Sequence, residues 1–288
     1  MSADDDADDA TDNVYLSLAE THGDDARWAF GTGFTDPLHG VDTTVPEEVD
    51  RAELAATCLA LADDALVAAQ RLAEWCTRAP ELEEEVALAN IGLDLIGQAR
   101  LLYTRTGTAD GTGRDEDDYA YRRDPDRFRN LCLAELPNED FAFTMVRLLA
   151  LSSWRLSLLA RLRGHRDPLL AAVAAKSVTE LAYHRRYAAD WVLRLADGTD
   201  ESRSRTVRAL EELAPWLPEL VEADAEAAAD ALSELQQVLG AARLTLPQVR
   251  DRGPAEAPAG REGVHTAHLA PLLDELQGLA RAHPGARW

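Results

Sequence analysis

Lysine is almost missing from this chain: Lys176 is the single one, and the other 28 basic residues are arginine. Positive charge as a whole is short, with 29 Lys and Arg against 52 Asp and Glu, a net of −23. A phosphate backbone needs a basic footprint, so a nucleic-acid partner is excluded, and an anionic membrane surface is excluded for the same reason. No uninterrupted apolar run approaches the roughly 18 residues that cross a bilayer. The first residues, MSADDDADDATD, are acidic where an export signal is basic and then apolar, so a cytoplasmic location is expected. Cysteines number three (Cys58, Cys76, Cys132), an odd count without CxxC, which speaks against a disulfide framework or zinc site and for thiols in a reducing compartment. Aromatics are 6% and the six tryptophans are scattered, a distribution that suits helix packing or a protein interface better than a cofactor cage. Phosphate-binding GxxxxGK[ST], dinucleotide-binding GxGxxG and the nucleophile turn GxSxG do not occur.

What is present is acid, alanine and arginine. A carboxylate-dense surface reads as adaptation to high salt, where self-repulsion is screened. A GC-rich genome accounts for the arginine and alanine but not for the acid surplus. The surplus is uneven: residues 1–50 hold 14 Asp or Glu against one Arg. They read as an acidic, partly disordered N-terminal extension, with residues 1–13 disordered, and residues 51–288 as a single helical domain.

From residue 51 onward the apolar period is helical. The first helix is expected over 51–76, with Leu54, Cys58, Leu59, Ala62, Leu66, Ala69 and Leu72 on one face. The second is expected over 81–107, opened by acids and closed at Gly107. A polar connection follows at 108–137, with a short helix near Phe128–Leu136. Two more long helices are expected at 139–163 and 168–196, the latter opened by Asp167-Pro168. Shorter ones follow at 201–214, 224–240 and 270–282, with a Pro/Gly-rich loop at 252–263. Two long helices, a crossover of about thirty residues and two more long helices make an all-α, ferritin-like four-helix bundle with additional C-terminal helices.

Di-iron bundles draw one Glu from each of two helices and Glu-x-x-His from each of the other two, because i,i+3 spacing aims both side chains inward. One Glu-x-x-His occurs here, Glu262-Gly263-Val264-His265, outside the long helices, and His184 is the one histidine within them. The inner stripes instead carry Asp63 on the first helix, Asp94 and Gln98 on the second, Ser152 and Arg155 on the third, and Lys176, Glu180 and His184 on the fourth. Unpaired buried charge costs several kcal/mol, so these groups must be paired or ligated. The expected arrangement is a buried charge network replacing the metal site: Asp63, Asp94 and Glu180 neutralised by Arg155, Lys176 and His184. The competing arrangement turns some of them to solvent. Glu180 and His184, at i,i+4, could with Asp94 hold a lone metal, although a single histidine among carboxylates is more often a hydrogen-bonded core residue. His265 and His268 read as a capping and packing segment, or as a surface metal or interface site.

Four long segments carry a resemblance: RLAEWCTRAPELEEEVALANIGLDLIGQAR (71–100), LAELPNEDFAFTMVR (133–147), AAKSVTELAYHRRYAADWVLRLADGTDES (174–202) and GVHTAHLAPLLDELQ (263–277). Together with the terminal Trp288 they resemble the C subunits of the phenylacetyl-CoA epoxidases, the ring 1,2-epoxidases of aerobic phenylacetate breakdown. The resemblance covers about residues 51–288. It implies a ferritin-like, non-catalytic structural subunit with no cofactor of its own. The di-iron centre and phenylacetyl-CoA site would lie in a partner catalytic A subunit, with which it forms heterodimers that assemble further. A reductase subunit with flavin and an iron–sulfur centre would bring electrons from NADPH. No catalytic role passes to any residue of this chain. The rival readings are an assembly protein of another acyl-CoA oxygenase on the same fold and a di-metal oxidase in its own right, using Asp63, Asp94, Glu180 and His184.

Overall fold

Asp50 starts the first long helix: its carboxylate accepts from the backbone N–H groups of Ala52 at 2.8 Å and Glu53 at 3.1 Å, two of the four donors that a helix start leaves unpaired. The computed structural model describes residue 38 and residues 40–247, 259–284 and 286, and among these the secondary structure is helical with no strand. The expectations for residues 1–13 and for most of the 252–263 loop lie outside the described residues.

Helix α1 is Arg51–Ala73. It ends three residues before the expected stop, in a turn where Thr77 takes a positive φ of 68°. Its middle is buried all the way round, from Leu61 to Val67, so a single apolar face understates it. Helix α2 is Leu82–Ala109 and runs past Gly107. That glycine does not cap the helix; it lets the crossover lie against it, for a Cβ there would overlap the carbonyl oxygen of Arg114.

The crossover holds α3 (Glu116–Tyr121), a 3-10 turn at Pro125–Arg127 and α4 (Cys132–Glu135). The helix expected near Phe128–Leu136 shrinks to four residues for a specific reason. Residues 128–131 are extended so that the N–H groups of Arg129 and Leu131 reach the carboxylates of Asp63 and Asp64, at 2.7 and 2.8 Å.

Helix α5, Phe141–Leu162, is the core helix: every residue from Ala142 to Arg155 is buried. By length and composition it could cross a membrane, with mean hydropathy 1.2, but 83% of that window is buried inside the protein. Helix α6, Pro168–Asp197, is capped by Asp167, which accepts from Leu170 N at 2.8 Å. The rest follow as α7 (Asp200–Leu213, opened by a Thr199/Ser202 capping box), α8 (Pro218–Ala223), α9 (Ala225–Ala241) and α10 (Leu269–Ala282).

Helices α1 and α2 pack along their lengths, as do α5 and α6, and α2 meets α6. This is the four-helix bundle, with α7 and α9 laid on α5. The C-terminal α10 closes over the crossover, where Gln277 Nε2 donates to Ala120 O at 2.9 Å and Arg281 Nη2 to Arg123 O at 2.7 Å. Residues 43–50 belong with this body. Val45 is buried, and the carbonyls of Thr43 and Thr44 accept from the buried guanidinium of Arg105.

Candidate functional site at the bundle centre

Four helices enclose a row of polar groups at mid-length. Arg155 of α5, 2% exposed, donates through Nη2 to Gln98 Oε1 on α2 at 2.9 Å and through Nη1 to the Leu61 carbonyl on α1 at 3.1 Å. Its Nη1 also lies 3.7 Å from Asp64 Oδ2 on α1. Gln98 Nε2 donates in turn to Glu180 Oε2 on α6 at 3.0 Å, and the other carboxylate oxygen of Glu180 takes the Lys176 ammonium one turn away. The row Asp64–Arg155–Gln98–Glu180–Lys176 therefore crosses all four helices. Burial pulls the Arg155 guanidinium down to about 10 against the opposing pull of Asp64, so it is still a cation at neutral pH. Lys176 sits at the outer end, with 31% of its side chain exposed.

Of the six residues singled out from sequence, this row joins Arg155, Glu180 and Lys176. Asp94 and His184 stand beside it as a separate pair, His184 Nε2 to Asp94 Oδ2 at 2.9 Å, with the histidine wholly buried and the aspartate partly open to solvent. Asp63 does not meet Arg155, Lys176 or His184, which corrects the expected pairing. It turns toward the crossover, where Arg123 donates to it through Nη1 at 3.0 Å and the Tyr103 hydroxyl donates at 2.5 Å. The Arg123 guanidinium lies 4.1 Å from the centre of the Phe128 ring. Burial works against that guanidinium, yet the Asp63 charge outweighs it and holds Arg123 above its ordinary pKa.

Sequence reasoning passed over several groups. Asp64 accepts from Leu131 N and from both terminal nitrogens of Arg261, at 3.0 and 2.7 Å, which ties the C-terminal segment to α1. Arg105 and Asp167 form a buried two-point ion pair that joins the end of α2 to the cap of α6. The doublet Asp63-Asp64 inside an apolar helix was the available signal for the first. Nothing local marks the second.

The lone Glu-x-x-His does not act as a motif: Glu262 is exposed, and His265 turns to α4. Its Nδ1 meets Glu135 Oε2 at 2.8 Å and its Nε2 meets the Phe128 carbonyl at 3.1 Å. Cys132 lies in the same cluster, so sulfur, carboxylate and imidazole come within 4.8 Å of one another. The chemistry is that of a lock and not of a ligand set. Its two ring nitrogens face the Glu135 carboxylate and the Phe128 carbonyl, and Glu135 also accepts from Asn130 Nδ2 and Thr266 N, so the polar atoms are engaged with one another. Burial disfavours the imidazolium, but the hydrogen bond and charge of Glu135 prevail and raise its pKa. The Cys132 thiol is held protonated, first by burial and then by the charges of Glu219 and Glu135. His268, exposed, precedes α10 without capping it through its side chain.

A resident iron pair does not fit the central residues. Glu180 is taken by Gln98 and Lys176, Asp64 by two guanidinium groups and a backbone N–H, and a cation already stands between the helices.

Known proteins share this sequence over most of its length. A family model described as phenylacetic acid catabolic protein matches residues 39–288. The C subunit of the 1,2-phenylacetyl-CoA epoxidase of Escherichia coli (strain K12) is 41% identical over 253 residues, covering 82% of this chain and 99% of that protein.

Proposed function

The chain belongs to the phenylacetic acid catabolic protein family, and from that premise we propose that it is the non-catalytic structural subunit of a phenylacetyl-CoA 1,2-epoxidase. In this reading it pairs with the di-iron catalytic subunit and holds it in its working conformation, while a flavin and iron–sulfur reductase feeds electrons to the complex from NADPH. The observation that carries the proposal is the row Asp64–Arg155–Gln98–Glu180–Lys176. A ferritin-like oxygenase needs carboxylates with free oxygens at this place. Here a buried guanidinium and an amide fill it, Asp64 is taken by the guanidinium groups of Arg155 and Arg261, and Glu180 is neutralised within its own helix.

The test is reconstitution. The chain and the catalytic subunit from the same genome are purified apart and together, then assayed for epoxidation with the reductase. The expected result is a catalytic subunit that is insoluble or inactive alone and recovers when this chain is added. Full activity and stability without it would overturn the proposal. Anaerobic loading with ferrous iron separates the rival reading: the isolated chain is expected to retain almost none, whereas a di-metal oxidase would hold about two irons.

A further inference from the structure

Large apolar side chains left in water are unevenly placed. Nine are exposed among the described residues, and four of them, Leu82, Val86, Leu93 and Ile96, lie on α2. The other face of the same helix is spent on the bundle, through Leu88, Ile91, Leu95, Ala99 and Leu102. With the half-buried Ala89, the exposed set runs 82, 86, 89, 93, 96, in alternating steps of four and three. That is the 3.5-residue spacing of a seam meant for another helix, about 21 Å long at 1.5 Å per residue. A solvent face has no cause to keep it, and scattered exposure elsewhere (Val207, Val221, Val264, Leu279) shows no such period.

Two features adjoin the seam. Gly97, one turn on from Leu93, has nothing within 4 Å of an added Cβ, so an approaching side chain meets no obstruction there. On the other side the bond from His184 to Asp94 ties α6 to α2, and Tyr183, 44% exposed, precedes His184 on α6. An exposed tyrosine on the neighbouring helix agrees with the aromatic enrichment of interface centres.

Charge chooses the occupant. Glu81, Glu83, Glu84 and Glu85 surround the first turn of the strip. A parallel second copy would set these acids against themselves. An antiparallel copy would bring them to Arg100, which Glu116 already holds at 2.7 Å, and either copy adds a net −23. We infer that the Leu82–Ile96 strip of α2, with Tyr183, is the docking surface for a helix of the catalytic subunit, apolar at heptad spacing and basic where it passes Glu81–Glu85. The inference rests on the function proposed above and names the surface it uses.

The experiment uses the full chain and the catalytic subunit, with binding measured by titration and unfolding followed by circular dichroism. Because both positions are exposed, Leu93→Glu and Ile96→Glu are expected to unfold at the wild-type temperature while weakening the complex more than about 100-fold. Val221→Glu, on another face, is expected to bind as the wild type does. Replacing Glu83, Glu84 and Glu85 with lysine is expected to slow association at least about tenfold at low salt. If the wild type binds and the two α2 variants bind equally well, the docking surface is wrong while the subunit reading survives. If the wild type itself fails to bind, it is the subunit reading that falls. A wild-type chain that dimerises alone, and is made monomeric by Leu93→Glu, would give the strip to a second copy and overturn the assignment.

Discussion

His265 faces an acceptor at each ring nitrogen, Glu135 on one side and the Phe128 carbonyl on the other, so the folded protein favours its imidazolium. Burial opposes that form and the Glu135 interaction overcomes it, which leaves a folded pKa above the unfolded value of 6.5. A raised histidine contributes stability that is complete below 6.5 and is lost as pH rises through the folded pKa. Denaturation midpoints are therefore expected to fall on going from pH about 6 to about 8. His265→Gln, which cannot be charged, should flatten that slope, and an unchanged slope would remove His265 as its source. The same residue shows what sequence reading missed. Spacing put Glu262 and His265 together, but its real partner, Glu135, lies 130 positions away. Lys176 and Glu180 were legible because their contact is one helical turn. Asp63 was not, since Arg123 comes to it from a crossover with no regular period.

At the scale of elements, the four long helices were readable from their apolar periods, and three of them open on a capping aspartate. Asp50, Asp140 and Asp167 each accept from the first turn of the helix they open. What escaped were short pieces held by distant groups, α4 above all, whose preceding strand of backbone is drawn out by Asp63 and Asp64. Gly107 makes the same point inside a helix. Propensity alone says that Gly107→Ala should stabilise α2 by up to about 1 kcal/mol. Contact with the Arg114 carbonyl says otherwise, since a methyl group would have to displace backbone and not a flexible side chain. The clash wins, and Gly107→Ala is expected to destabilise the protein by about 2–3 kcal/mol in urea unfolding. Proteolysis should then quicken first within residues 110–115. A stabilised variant would mean that this connection moves aside freely.

For the whole molecule the question is how a chain of net −23 stays folded. Its scarce cations are arginines, and the structure spends many of them on backbone. Arg71 donates to Glu135 O at 2.6 Å, Arg203 to Arg243 O at 2.8 Å and Arg261 to Ala60 O at 3.2 Å. A planar guanidinium with five donors can hold a carbonyl and a carboxylate together, as Arg261 does with Ala60 and Asp64, where one ammonium could not match the geometry. Composition announced the arginine excess but not this use of it, because carbonyls leave no mark in a sequence. These links tie the crossover and the C-terminal segment to the bundle and leave the exposed acid surplus uncompensated. Added salt has two opposite effects. It weakens exposed ion pairs such as Arg205–Glu201, each worth about 0–1 kcal/mol. It also screens repulsion among the surplus carboxylates, shrinking the reach of each charge from about 10 Å at 0.1 M to about 3 Å at 1 M. Buried pairs such as Arg105–Asp167 are sheltered from either effect. Relief of repulsion therefore prevails, and the unfolding temperature is expected to rise by at least about 5 °C between 0.1 M and 2 M KCl. A fall over that range, measured by calorimetry on the isolated chain, would mean that exposed pairs outweigh the repulsion.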